Sequence, residues 1–141
     1  MAKLGRYSAD RKKIEALTAA KTVEVADCGT IFTLGTAGGF AVVLPDASAC
    51  GNGWWCKFIV KVAPSGGDYT IDASSGDGNN VHALLVTAET GAAASTTGTA
   101  VDQVAIKDGK GNIGDQVEYV TDGALWYVRA DSAENDAILF G

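Results

Sequence analysis

Residues 54–62 read WWCKFIVKV and carry the alternation that decides the fold. Every second side chain, beginning with Trp54, is apolar and large enough to fill a core. The positions between them hold Trp55, Lys57, Ile59 and Lys61. Because successive side chains of a β-strand point to opposite faces, the first set is predicted to be buried. The second set mixes apolar and charged groups, which predicts a face partly solvated and partly covered by another element or subunit.

The same period of two continues along the chain from Lys21 onward. Short β-rich runs are separated by Gly, Asp, Asn and Ser at spacings of about 8 to 14 residues. The predicted strands cover residues 22–26, 30–34, 40–44, 54–62, 69–73, 81–86, 99–107, 116–121 and 124–129, with a last apolar piece at 137–140. This number of strands is larger than a single open sheet of a small domain usually contains. We therefore expect an all-β fold, a single antiparallel β-sandwich or barrel of jelly-roll type over residues 22–141.

Residues 116–129 give the clearest local signal, that of a β-hairpin. Two alternating runs flank the dipeptide Asp122-Gly123. A two-residue type I′ turn needs positive φ at both central positions, and Asp-Gly adopts it at low cost. By contrast, residues 91–98, GAAASTTG, carry only small uncharged side chains. This segment is therefore predicted to be a surface loop.

Residues 8–20, SADRKKIEALTAA, form the one segment whose pattern favours a helix. Ser8 is a natural N-cap, and Ile14 and Leu17 would share one face. A helix of about 13 residues is marginal in water by itself, so it is expected to rest on the β domain or on a neighbouring protein. Residues 1–21 are accordingly predicted to be a basic helical arm.

Charge is unevenly spread along the chain, whose net charge is -6. Six of the eleven Lys and Arg residues, against Asp10 and Glu15, lie in residues 1–21, giving this arm about +4 and the remainder about -10. Since an acidic body repels phosphate backbones, no nucleic-acid partner is expected for it. No stretch approaches the roughly 20 apolar residues of a membrane span, and no secretory leader is evident, so we expect a soluble protein that is made in the cytoplasm.

Catalytic chemistry finds little support in the sequence. A serine or cysteine hydrolase needs a base beside its nucleophile, and His82 is the single histidine. In the run VHALLV it shares one face of the strand with Leu84 and Val86, which predicts a half-buried strand histidine. Glycine-rich phosphate-binding and nucleophile-elbow motifs are absent from the sequence. The chain is therefore expected not to be an enzyme and to need no cofactor.

The sequence offers two kinds of candidate metal or redox site. Three cysteines, an odd number, accompany one histidine, so free thiols are expected, with a disulfide between Cys50 and Cys56 as the alternative. Calcium is the second case, because turns rich in Asp and Asn could offer oxygen ligands, although the same residues are common in turns for backbone reasons. The oxygen-bearing residues are Asp72, Asp77, Asn79, Asp108 and Asn112. No metal site is predicted.

Two adjacent aromatic pairs suggest a different function. Trp54 with Trp55, and Trp126 with Tyr127, could form a platform on which a sugar stacks. The competing interpretation is packing, because in each pair one ring should point inward and the other outward. An outward ring could equally mark a subunit interface. A carbohydrate-binding module therefore stays open as an alternative.

Four stretches, taken in order, resemble the head decoration (cement) proteins of tailed bacteriophages. They are ADCGTIFTLGTAGGFAVVLPDA (26–47), GNGWWCKFIVKVAPSGGDYTI (51–71), the closing segment GDQVEYVTDGALWYV (114–128) and the N-terminal segment YSADRKKIEALTAAKTV (7–23). The closing segment is the most specific, matching the family pattern at Gly114, Asp115, Val117, Val120, Asp122, Gly123, Trp126, Tyr127 and Val128. Cys28 departs from the small polar turn residue usual in the family.

The resemblance implies a structural protein on the outer surface of the virion head. It implies a homotrimer at threefold positions of the head lattice, bound to the phage major capsid protein and made in the bacterial host. Because similar patterns occur in phage fibre and tail modules, a fibre or tail module that recognises a host-surface glycan is the alternative function.

Two contact surfaces follow as hypotheses. The basic arm is expected to clamp the capsid, and its capsid-binding residues would be Arg6, Tyr7, Arg11, Lys12, Ile14 and Leu17. The outward apolar residues of the 54–62 strand, Trp55 and Ile59, are expected to form the trimer interface.

Overall fold

The computed structural model describes residues 11–73, 80–89 and 95–141. These residues form twelve β-strands, a 3₁₀ turn at Val25–Asp27 and the one-turn helix α1 at Ala47–Cys50. The strands are β1 (Lys13–Leu17), β2 (Lys21–Thr22), β3 (Thr30–Leu34), β4 (Phe40–Val43), β5 (Asn52–Val60), β6 (Tyr69–Asp72), β7 (Val81–Thr87), β8 (Ser95–Val101), β9 (Gln103–Ile106), β10 (Gln116–Asp122), β11 (Trp126–Ser132) and β12 (Ile138–Phe140).

The strands form two mixed sheets. Sheet A has the order β1-β3-β5-β10-β11-β7-β8, and sheet B has the order β12-β9-β6-β4-β2. The all-β prediction is confirmed. The antiparallel prediction is wrong, because β1–β3, β3–β5, β7–β11, β2–β4 and β4–β6 are parallel pairs. Neither sheet closes into a barrel within the described residues, and the jelly-roll type is not confirmed.

Parallel pairing arises from the way the chain winds between the sheets. From β1 to β6, consecutive strands alternate between sheet A and sheet B. Each revolution therefore returns the chain beside the strand two positions earlier, running in the same direction. The later strands add antiparallel pairs, with β10 inserted between β5 and β11, and β9 between β6 and β12. A pattern of period two cannot distinguish the two directions, because alternation is the same in both.

A row of aromatic side chains fills the space on the inner face of sheet A. Phe32 stacks on Phe58 with ring centroids 5.3 Å apart, and Phe58 meets Tyr119 edge to face at 6.0 Å. Tyr119 contacts Trp126 at 5.9 Å, and Trp126 contacts Trp54 at 5.6 Å. All five are buried in one cluster that also includes residues of sheet B. The two sheets therefore share a single core, in which truncating one of these rings would cost about 3 to 5 kcal/mol.

On the sheet B side, Tyr69 ties two loops together through its hydroxyl group. The oxygen accepts a hydrogen bond from the Thr36 amide at 3.0 Å. The hydroxyl proton faces two carbonyl oxygens, those of Thr36 at 2.7 Å and Val62 at 2.8 Å. Burial raises the pKa of this phenol, so it stays protonated and available as a donor.

The predicted helical arm is wrong over its described part. Lys13–Leu17 is strand β1, which pairs in parallel with β3 at the edge of sheet A. Ile14 and Leu17 consequently lie on opposite faces: Ile14 is 64% exposed, whereas Leu17 is 5% exposed and belongs to the core. The pairing with β3 outweighs helical propensity in this segment, because it buries Leu17 and supplies a complete set of backbone partners on one side. Residues 8–10 lie outside the described residues.

Two other local predictions, the hairpin at 116–129 and the loop at 91–98, are each corrected in part. The hairpin of β10 and β11 is confirmed, but the type I′ turn is wrong, because Gly123 has positive φ and Asp122 does not. The Asp122 carboxylate instead accepts the amides of Ala124 and Leu125 at 2.9 and 2.8 Å. Residues 95–98, predicted to be loop, belong to β8; residues 91–94 lie outside the described part of the chain.

Tyr119 offers a test of the core. Its hydroxyl is buried and has no hydrogen-bond partner among the described residues. Tyr119→Phe should therefore leave the free energy of unfolding unchanged or raise it by about 1 kcal/mol, because an unsatisfied polar group is removed. Tyr69→Phe is the matched control and should lower it by about 1 to 3 kcal/mol, since the Thr36 amide loses its acceptor. Urea unfolding measures both, and equal losses would contradict the packing described.

Asp68 and Lys107 form an ion pair that links the two loops at the start of β6 and the end of β9. The hydrogen bond from Lys107, reinforced by the Asp108 amide, lowers the pKa of Asp68 below its usual 3.8. Because the folded-state pKa is lowered, the stabilisation is present above about pH 4 and is lost as pH falls through the folded-state value.

Lys107→Met should therefore raise the pKa of Asp68, which carboxyl ¹³C titration measures. Lys107→Met should also have a lower free energy of unfolding than the wild type at about pH 6, and this difference should become smaller as the pH falls to about 2.5. Lys110→Met, which removes an exposed lysine of the same loop, is the control and should leave the Asp68 titration in place. An unchanged Asp68 pKa in Lys107→Met would show that the pair does not form in solution.

Candidate interaction surface

The outward side of sheet A presents three rows of side chains, set by strand register, which we call the outer face. The first row runs across β5, β10, β11 and β7 as Trp55, Val120, Tyr127 and His82. The second row is Ile14, Ile31, Lys57, Glu118, Arg129 and Leu84. The third row is Thr33, Ile59, Gln116, Asp131 and Val86. A charged centre is thus flanked by apolar and aromatic side chains.

Several large apolar side chains of the outer face are open to solvent. Ile14 is 64% exposed, Tyr127 48%, Leu84 43% and Val86 39%. Together with half-buried Trp55, they lie on the same side of sheet A, in apolar groups separated by Lys57, Glu118 and Arg129. Exposed apolar side chains that gather on one face and are bordered by polar groups are typical of binding surfaces. The outer face is therefore the candidate interaction surface.

One depression of about 310 Å³ lies in the half of the outer face formed by β1, β3, β5 and β10. Its apolar lining is Ile31, Trp55 and Val120, and its charged lining is Lys12, Lys57 and Glu118. We call it the Trp55 pocket.

Trp55 is positioned by the backbone beside it. Gly29 adopts a φ of 78° and donates its amide to the Trp55 carbonyl oxygen at 2.8 Å. A side-chain carbon added at Gly29 would lie 3.8 Å from Cζ2 of Trp55, so the indole packs directly over this glycine. The positive φ at Gly29 and the close packing of the ring explain why a glycine suits the position.

The charged groups of the Trp55 pocket are not neutralised within the described residues. The ion pairs found there join Lys21 to Glu15 and Asp27, Lys107 to Asp68, and Arg129 to Asp131. Neither Lys12 nor Lys57 approaches a carboxylate within 4.0 Å in that part of the chain, even though Glu118 lies opposite Lys57 on the next strand. Two ammonium groups and one carboxylate thus border an apolar floor.

The structure distributes the predicted contact residues over several places. Lys12 lines the Trp55 pocket and Ile14 lies in the second row beside it. Arg11 is exposed just before β1, whereas Leu17 is buried and offers no surface. Arg6 and Tyr7 lie outside the described residues. Their roles in capsid binding stay predictions.

Trp55 and Ile59 both face outward, as the alternation predicted. Lys12, predicted for capsid binding, and Trp55, predicted for the trimer, line the same pocket. The two predicted surfaces therefore overlap. Ile31, Glu118 and Val120 were missed by sequence reasoning, because they join the pocket only through the pairing of β3 with β5 and β5 with β10.

The four-ring aromatic platform is not formed. Trp54 and Trp126 are buried and meet edge to face, whereas Trp55 and Tyr127 lie on the outer face. The prediction that one ring of each pair points inward is confirmed. Trp55 and Tyr127 are separated by Val120 within one row, so their Cα atoms are about 10 Å apart.

Other chemistry-bearing residues are dispersed or buried. His82 is half-buried on β7, as predicted. Among the described residues no group of three His, Cys, Asp or Glu side chains could hold a metal ion. All three cysteines are free thiols. Burial raises the pKa of Cys50 to about 11 and that of Cys56 well above its usual value, which makes both weak nucleophiles.

Comparisons with known proteins found no match: no family model, no curated protein and no solved structure resembles this chain significantly. No helix in the described part of the chain is long and apolar enough to cross a membrane. The geometry of the outer face therefore carries the functional argument.

Tryptophan fluorescence tests the outer face directly. Trp55 is half-buried on the outer face, whereas Trp54 and Trp126 are 4% and 0% exposed. Trp55→Phe should therefore remove most of the emission that acrylamide quenches, because the remaining rings are shielded in the core. Trp54→Phe is the matched control and should keep the quenchable emission. Strong quenching that persists in Trp55→Phe would contradict this placement.

Proposed function

We propose that this chain is a structural protein that decorates the head of a tailed bacteriophage and binds the shell through the outer face of sheet A. The observation that carries the proposal is the outer face itself, where exposed apolar side chains surround a charged centre. The opposite face of the same sheet packs into the core along β3, β5, β10, β11 and β7. The resemblance of the β-segments to head decoration proteins supplies the identity of the partner.

The two halves of the outer face suit two partners. The Trp55 pocket half carries cationic groups, and we assign it to the major capsid protein. The other half presents Tyr127, Leu84 and Val86, and we assign it to neighbouring copies in a homotrimer. Since Lys12 and Trp55 line one pocket, we assign both residues to the same partner, the shell, and no longer assign Trp55 to the trimer interface.

Stabilisation of the shell then follows from multivalency. A trimer that holds several shell subunits converts each later contact into an intramolecular one with a high effective concentration. Ligands that bind the closed lattice and not the opened one shift the equilibrium toward the closed lattice. Individually modest interfaces can therefore add up to strong resistance against opening.

The N-terminal segment has a more limited role than a separate helical clamp. Residues 13–17 are built into sheet A, so their removal would expose β3 and delete Leu17 from the core. Lys12 precedes β1 and brings basic charge to the Trp55 pocket, and Arg11 is exposed beside it in the sequence. We propose that they act as part of the outer face.

Aspartate substitutions separate these surfaces. Trp55→Asp should abolish cosedimentation with undecorated phage heads while leaving the oligomeric state unchanged, because it places a charge in the shell contact. Leu84→Asp should reduce the oligomeric state in analytical ultracentrifugation. Leu139→Asp is the matched control, since Leu139 is 45% exposed on sheet B, and it should affect neither.

Wild-type protein that does not bind heads would overturn the proposal. Trp55-dependent retention on immobilised glycans, with no binding to heads, would instead support the glycan-binding alternative. A monomeric Trp55→Asp variant would return Trp55 to the trimer interface.

A further inference from the structure

The Trp55 pocket combines features that select a particular ligand chemistry. Its floor is apolar, made by Ile31, Trp55 and Val120. Its charged lining consists of Lys12 and Lys57, opposed by Glu118. Aliphatic lysine stems lie readily along apolar surfaces while the charged ends stay at the opening. A ligand that fits must therefore offer an apolar group and an anionic group at once.

Charge across the molecule makes this pocket distinctive. Residues 22–141 carry about -10, and only five of their side chains are Lys or Arg. Of these five, Lys107 and Arg129 are engaged with Asp68 and Asp131. Lys57 is one of the remainder, and Lys12 reaches it from the basic segment before β1. The lining of the pocket carries two lysines against Glu118, a net charge of +1, in an otherwise acidic body, which favours an anion here over the rest of the surface.

Strand geometry specifies how apolar and anionic groups should be spaced. Trp55 and Lys57 are two residues apart on β5 and point to the same face, so they are separated by about 6.6 Å along the strand. An extended segment that lies along β5 presents its own residues i and i+2 at the same spacing. An apolar side chain over Trp55 would then place a carboxylate two positions away beside Lys57.

We propose that the Trp55 pocket binds an acidic, extended segment of the shell protein, in which an apolar residue and an Asp or Glu alternate at i and i+2. The apolar side chain contacts Trp55 and Ile31, and the carboxylate lies between Lys12 and Lys57. Glu118 lines the same pocket. Its carboxylate repels the carboxylate of the ligand, which keeps the ligand carboxylate beside the lysines. This inference rests on the proposed decoration function for the origin of the segment, but the chemistry of the pocket can be tested without heads.

The test uses the full chain and two synthetic peptides. The acidic probe is acetyl-Leu-Thr-Asp-Thr-Leu-Thr-Asp-amide, and the matched neutral probe has Asn in place of each Asp. Binding is followed by the indole N–H resonance of Trp55 in ¹⁵N–¹H spectra, while the Trp126 indole reports whether the core is intact. The acidic peptide should shift the Trp55 resonance saturably. The neutral peptide should bind at least about fivefold more weakly.

Removing a lysine or the glutamate of the pocket should change the Kd of the acidic peptide in opposite directions. Lys57→Met retains the aliphatic stem and should raise Kd about two- to fivefold, with a larger increase when it is combined with Lys12→Met. Glu118→Gln should lower Kd, because repulsion of the peptide carboxylate is removed. Lys110→Met is the matched control, as Lys110 is exposed and outside the pocket, and it should leave Kd unchanged. Added salt should weaken binding of the acidic peptide and leave binding of the neutral peptide unchanged.

Equal binding of the two peptides, or no saturable shift of Trp55, would overturn the inference. So would a Trp55 resonance that moves on dilution of the protein alone, because the occupant would then be a second copy of this chain. Head binding is measured alongside with wild type and Lys57→Met. If wild type and Lys57→Met bind heads equally, the inference is wrong but the decoration function is still supported. If the protein binds the acidic peptide but not heads, the pocket chemistry is supported and the decoration function is wrong.

Discussion

The packing of two sheets through one row of aromatic rings is the constraint on which the rest of the structure depends. Phe32, Phe58, Tyr119, Trp126 and Trp54 occupy the inner face of sheet A in an unbroken series of ring contacts. Each ring comes from a strand whose neighbouring residues must point the opposite way. Filling the core with these rings therefore determines which side chains are left to form the outer face.

The outer face is thus a direct consequence of the core. On β5, the burial of Trp54, Cys56 and Phe58 places Trp55, Lys57 and Ile59 outside. A one-residue change of register would exchange the two sets. Because register is held by the core, the rows that run from Trp55 to His82 and from Ile14 to Leu84 are rigidly spaced. A rigid, preformed surface loses little conformational entropy on binding, which suits a protein that acts through contact.

Polar groups reinforce this arrangement at the ends of the strands. The Tyr69 hydroxyl joins the loops before β4 and before β6. Asp115 is buried between two loops and accepts the amides of Asn112 and Ala133, each at 2.9 Å. Burial raises the pKa of Asp115, opposed by those two hydrogen bonds. The loops at this end are therefore held by specific side-chain contacts.

The sequence by itself determined the strands and their two faces. Alternation located most of the described strands, but it missed β1 and merged β8 and β9, which lie in different sheets, into one predicted strand at 99–107. It correctly assigned Trp54 to the core, Trp55 to the outside and His82 to a half-buried position, because burial on one side requires a period of two. Tertiary structure alone decided the parallel winding, the conversion of Lys13–Leu17 into an edge strand, and the meeting of Lys12, Ile31, Trp55 and Glu118 in one pocket. Those features depend on which strands lie side by side, and pairing between distant segments leaves no periodic trace in the chain.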